Sequence, residues 1–157
     1  MKVKNTLSYK IKTRPSENLG GATKKQRIYF DFIVDGKSLF ESLEMQQYDM
    51  VGAICISEYV DYEKEKISEF LLDKNSGLED KRVIIYGCGE CLDIGCGAIT
   101  AKIEKANDTI IWKEFAYENG YSEINFYEYE EIGSFVFEQK AYQNVFKEIE
   151  HYIEQKV

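Results

Sequence analysis

Three of the four cysteines, Cys88, Cys91 and Cys96, fall in one short segment, Tyr86–Gly97, which reads Y-G-C-G-E-C-L-D-I-G-C-G. A thiolate is a nucleophile and a ligand for soft metal ions, and a two-residue gap lets two thiolates converge on one ion. Cys88-x-x-Cys91 followed by Cys96 is therefore half of a zinc ribbon. The second Cys-x-x-Cys or Cys-x-x-His pair that would complete it does not occur. The remaining ligand candidates are Cys55, Asp93 and His151. Cys55 lies in an apolar run and His151 in an amphipathic segment with a packing role of its own, so the motif stays incomplete. Redox chemistry would place Cys88-x-x-Cys91 at a helix N-terminus, where the dipole lowers a thiol pKa. Gly95 and Gly97 argue against a helix there. The preferred reading is a glycine-shaped connection between two strands, with the thiols as small apolar groups and no metal or cofactor.

Other chemistry has less support. His151 is the single histidine, so a Cys–His pair has one candidate base, and nothing in the sequence ties it to a cysteine. No Gly-x-Ser-x-Gly elbow occurs. Gly87-x-Gly89 and Gly95-x-Gly97 lack the lysine and following helix of a phosphate loop. The expectation is a non-enzymatic protein.

A second candidate lies downstream. Glu114–Glu131 holds six glutamates and no lysine or arginine, interleaved with Tyr117, Tyr121, Phe126, Tyr127 and Tyr129. Tyrosines give large contact areas at low entropic cost, and carboxylates around them complement a basic surface. Glu118, Tyr121, Glu123, Tyr127, Glu128, Tyr129, Glu130 and Glu131 are the predicted partner-binding residues. The competing reading puts Phe126 and alternate tyrosines in the core, with the glutamates keeping a loop soluble.

The elements that must position these residues follow from periodicity. With 157 residues, 44% hydrophobic and 31% charged, the chain suits one globular domain over 1–157. Alternation predicts strands over Thr6–Lys12 and Gln26–Val34, separated by a surface loop, Arg14–Lys25. Asp35-Gly36 is a turn, followed by a short helix rather than a returning strand, with Ser38 and Glu41 in capping-box relation. Met50–Ser57, almost wholly apolar, reads as a central strand, Val60–Lys74 as a helix, and Lys81–Tyr86 as a strand. Ala98–Lys105 and Thr109–Phe115 form a hairpin about Ala106-Asn107-Asp108, with Trp112 packing across it. Phe135 and Phe137 mark a last short strand. From about Gln139, the spacing of Tyr142, Val145, Phe146, Ile149, Tyr152 and Ile153 predicts a C-terminal helix with one buried face. The fold class expected is α+β: a mostly antiparallel sheet with the C-terminal helix packed on one face.

A net charge of −8 argues against nucleic acid and anionic membranes as ligands and favours a basic protein partner. No export signal and no stretch of transmembrane length is visible, so the expected location is cytoplasmic, where cysteines persist as thiols.

From Tyr86 on, the run Y-G-C-G-E-C-L-D-I-G-C-G-A-I-T-A-K-I-E, then I-I-W-K-E-F-A-Y-E-N-G-Y and G-S-F-V-F-E, is similar to a family of bacterial cytosolic proteins to which no reaction is assigned. The upstream D-F-I-V-D-G-K-S-L resembles the same family's early strand and turn. The resemblance covers most of the chain from Phe30 on, and it implies a fold unit without assigning chemistry. In size and charge alone, the chain also resembles the immunity proteins that neutralise bacterial toxins, which is a likeness of class. The expectation is an immunity protein binding a basic toxin domain, with a metal-binding or thiol-redox role for Cys88, Cys91 and Cys96 as the alternative.

Overall fold

The computed structural model describes residues 4–18 and 20–155. In chain order the strands are β1 (Leu7–Arg14), β2 (Glu17–Asn18), β3 (Thr23–Lys24), β4 (Arg27–Val34), β5 (Lys37–Ser38), β6 (Met50–Gly52), β7 (Cys55–Ile56), β8 (Arg82–Cys88), β9 (Ala98–Ala106), β10 (Thr109–Glu118) and β11 (Phe135–Glu138). The α-helices are α1 (Leu39–Ser42), α2 (Val60–Phe70) and α3 (Gln139–Gln155). The architecture is α+β, and its sheets are mostly antiparallel.

One sheet runs β11-β10-β9-β8-β6, and a second runs β1-β4-β5 with β7 added on β4. Two joints curl them into one wall. Between β6 and β7 the chain crosses from the first sheet to the second: Ala53 N donates to Ile85 O at 3.0 Å, and Phe30 N donates to Ile54 O at 3.1 Å. On the other side, Asn5 N donates to Val136 O at 2.7 Å, while Asn5 Oδ1 accepts from Val136 N at 2.8 Å. Asn5 thus ties the approach to β1 onto β11.

The single central strand expected over Met50–Ser57 is therefore two short strands. Their residues are buried as predicted, with Val51, Ala53, Ile54 and Cys55 inside. The apolar run is continuous because the corner itself is covered on both sides. Asp35-Gly36 turns as expected, but the chain first returns as β5 and only then enters α1. Ser38 Oγ caps α1 by accepting from Glu41 N at 3.2 Å. The predicted surface loop Arg14–Lys25 contains the β2–β3 ribbon; residue 19 lies outside the described residues, as do residues 1–3 of the start read for an export signal. The helix expected over Val60–Lys74 ends at Phe70, where Leu72 takes a φ of 63°.

The core lies between the curled wall and α3. Phe30, Phe32 and Val34 reach it from β4, Ile99, Ala101 and Ile103 from β9, and Tyr142, Phe146, Ile149 and Ile153 from α3. Trp112 sits at its centre. Its ring lies 5.2 Å from those of Phe32 and Phe137, 5.8 Å from Phe70 and 6.1 Å from Tyr142. The tryptophan, opposite Ile103 in its own hairpin, thus also packs inward onto four other elements. A buried indole N–H needs an acceptor. Trp112 Nε1 donates to Tyr142 Oη at 3.0 Å, which in turn donates to Phe70 O at 2.7 Å. This relay locks β10, α3 and the end of α2 together.

Candidate functional site

The cysteine segment is the connection from β8 to β9, since Gly87 pairs with Ala98. It leaves β8 in a tight turn: Leu92 N donates to Cys88 O at 2.9 Å, and Leu92 takes a φ of 55°. The Leu92 side chain buries itself with Tyr29, Val51 and Cys55. Asp93 Oδ1 then accepts from Gly95 N at 3.3 Å, opening a one-turn 3-10 helix, Ile94–Cys96. Gly97, with a φ of 93°, turns the chain into β9, and a side chain there would collide with the Tyr117 ring. A glycine-shaped connection is what the structure contains. The thiols do not fill it as small apolar groups, however. Cys91 and Cys96 are exposed and Cys88 is half-buried, and the packing role expected of the thiols falls to Leu92.

The loop brings the three sulfurs within 4.8 Å of one another. Cys91 Sγ and Cys96 Sγ lie 3.1 Å apart. Backbone N–H groups of Cys91 and Glu90 point at Cys88 Sγ, and Asp93 N donates to Cys91 Sγ at 3.4 Å. Such donors stabilise a thiolate. Burial works to raise the Cys88 pKa, but the N–H donors together with hydrogen bonds from the Cys91 and Cys96 thiols hold it below its ordinary value. Cys96, hydrogen-bonded to Cys91, is pushed up to about 12. Cys55 stands apart as a buried thiol, also raised to about 12 by desolvation. A tetrahedral zinc ion with Zn–S bonds of about 2.3 Å separates its sulfurs by about 3.8 Å, a spacing within the spread of this cluster.

Two arginines brace the loop from behind. Arg14 donates through Nε and Nη2 to both Asp49 oxygens at 2.8 and 2.7 Å, through Nη2 to Glu90 Oε1 at 2.9 Å and through Nη1 to Gly89 O at 3.2 Å. Arg27 Nε also donates to Gly89 O, at 2.8 Å. A Cβ on residue 89 would fall 2.7 Å from Arg14 Nε, so only glycine lets the guanidinium lie flat against the backbone. The carboxylate of Asp49 is held below its usual pKa by the Arg14 bond. Sequence reasoning missed both arginines. Arg14 reads there as the start of a surface loop, and Arg27 as a residue of the strand predicted over Gln26–Val34.

Cys88 and Cys96 line a cleft of about 450 Å³. Its other walls include Tyr48, Tyr117, Glu128 and Tyr129, which brings the cysteine segment beside the acidic, tyrosine-rich stretch. Within that stretch Tyr121 is 86% exposed and Tyr127 82%. Glu123, Glu128, Glu130 and Glu131 are exposed and enter no ion pair among the described residues. Two predicted partner residues are not exposed for contact. Glu118 turns inward to pair with the buried Arg82 at 3.1 Å and to bond Thr100. Arg82, 1% exposed, needs that carboxylate; it also donates to Glu114 O at 2.6 Å, at the bulge where the β9–β10 register shifts. Tyr129 is buried, and its phenol is pushed up to about 12 by desolvation. Of the possible fourth ligands, Asp93 caps the 3-10 turn through Oδ1 and lies outside the cluster, and His151 is exposed on α3.

A larger cleft, about 680 Å³ between the end of α2 and β9, mixes both signs of charge and contains neither cysteine nor histidine. No helix among the described residues is long and apolar enough to cross a membrane. No protein-family model, curated protein or solved structure matches the chain.

Proposed function

We propose that the protein binds a zinc ion through the thiolates of Cys88, Cys91 and Cys96. The observation that carries this reading is the convergence of the three sulfurs within 4.8 Å, on a loop whose backbone N–H groups serve two of them. Thiolate sets favour soft or borderline ions, and zinc accepts tetrahedral sulfur coordination without a redox demand. The test is native mass spectrometry of the chain after one equivalent of zinc and gel filtration. One ion per chain is expected, and Cys91→Ser should lose it while keeping the far-ultraviolet circular dichroism of the parent. Folded chain that retains no metal contradicts the reading.

A second reading, an immunity-type protein that binds a basic toxin domain, is favoured by a separate observation. Tyr121 and Tyr127 stand out from the surface among glutamates that have no ion-pair partner among the described residues. Hot-spot tyrosines with a carboxylate rim suit a basic partner. The partner to test is a basic domain encoded beside this gene. Charge reversal of Glu128, Glu130 and Glu131 should weaken its binding and flatten the salt dependence; unchanged affinity at every ionic strength removes this reading.

A further inference from the structure

We infer that the fourth coordination position of the zinc is filled from outside the chain, by the imidazole of a histidine in a basic polypeptide that enters the cleft beside Cys88, Cys96 and Glu128. This rests on the zinc reading above. Its starting point is ligand count. Among the described residues the cluster holds three metal-ligating side chains and no fourth. Zinc centres with three protein ligands keep a position for an incoming group. No nearby carboxylate or thiol among the described residues joins the cluster, and each has a partner of its own. Asp93 Oδ1 caps the 3-10 turn, Asp49 is gripped by Arg14 and by Lys24 at 3.3 Å, and Glu90 is held by Arg14. Cys55 is buried behind Leu92 in the second hydrophobic cluster, and its thiol is directed to Gly52 O at 3.6 Å.

Direction of approach comes next. Cys88 and Cys96 both lie in the wall of the 450 Å³ cleft, which has room for an imidazole side chain. Tyr48 and Tyr117 also line it and offer aromatic surface to a planar ring. Charge then selects the ligand. Three thiolates on a divalent ion leave a net charge of about −1, and Glu128 in the same cleft adds another negative group. A second-chain thiolate or carboxylate would enter against that field, whereas neutral imidazole would not. Lysine or arginine on either side of the histidine would meet Glu128, Glu130 and Glu131, which are exposed and enter no ion pair among the described residues. Water can hold the position in the absence of a partner, and imidazole is the neutral side-chain donor able to displace it, so the occupant inferred is a histidine in a basic segment.

The test uses the full chain loaded with cobalt(II), which reports thiolate ligation in its near-ultraviolet charge-transfer band and coordination in its visible ligand-field bands. The probe is a synthetic peptide with one histidine between pairs of lysines, beside its His→Ala version. Saturable change in the visible bands is expected with the histidine peptide, at least ~10-fold tighter than with the alanine peptide, and weakened by added salt. Glu128→Gln should leave the peptide-free spectrum unaltered while weakening the peptide. If the thiolate band itself is missing, the zinc reading fails and the inference with it. A thiolate band whose ligand-field region ignores the histidine peptide overturns the inference alone. A peptide-free spectrum that changes with Glu128→Gln also overturns it, because Glu128 would then be the fourth ligand.

Discussion

The protonation states of Cys88 and Cys96 set how metal uptake responds to pH. Against the opposing effect of burial, Cys88 is held below the ordinary thiol range by N–H donors and by its bonds with the other two thiols, while Cys96 is pushed up to about 12 by its bond with Cys91. Binding requires thiolates, so zinc must displace protons and affinity must rise with pH. Zinc release to a chromophoric chelator should therefore increase as the pH is lowered from 8 towards 5. Arg14 makes a second prediction. Replacing it with Met strips donors from Asp49, Glu90 and Gly89 O, which should cost about 1–3 kcal/mol in urea unfolding. Because Asp49 has a depressed folded-state pKa, its contribution is present above the unfolded value of about 3.9 and is lost as pH falls through the folded value. The gap between parent and Arg14→Met should accordingly narrow in acid. The cysteine segment was conspicuous in the sequence, but its bracing was not. The contacts of Arg14 and Arg27 with Gly89 span 75 and 62 residues, and no local pattern encodes such a pairing.

At the level of elements, the Trp112–Tyr142–Phe70 relay is the joint most exposed to a single deletion. Tyr142→Phe keeps the ring but leaves a buried indole N–H and a buried carbonyl unpartnered, for an expected loss of about 1–3 kcal/mol. Phe32→Ala should cost about 3–5 kcal/mol, because its ring touches Trp112, Phe70 and Phe146 at the centre of the core. Denaturant midpoints of the two variants check both figures. Strong periodicity made α3 and the β9–β10 hairpin legible. The break between β6 and β7 was illegible, because a corner buried on both sides looks like a buried strand. The inward turn of Glu118 was equally hidden, since it depends on Arg82 arriving from β8.

For the whole molecule, part of the acidic balance of −8 reaches the cysteine cleft through Glu128. Reversing Glu128, Glu130 and Glu131 should leave stability within about 0.5 kcal/mol, because these exposed side chains enter no ion pair among the described residues. Equal thermal midpoints alongside weakened peptide binding would separate a recognition role from a structural one. The zinc centre itself is tested most directly by zinc-edge X-ray absorption on the chain loaded with one equivalent. Three sulfur scatterers at about 2.3 Å with one nitrogen or oxygen at about 2.0 Å are expected. A shell of nitrogen and oxygen alone would contradict thiolate ligation by Cys88, Cys91 and Cys96.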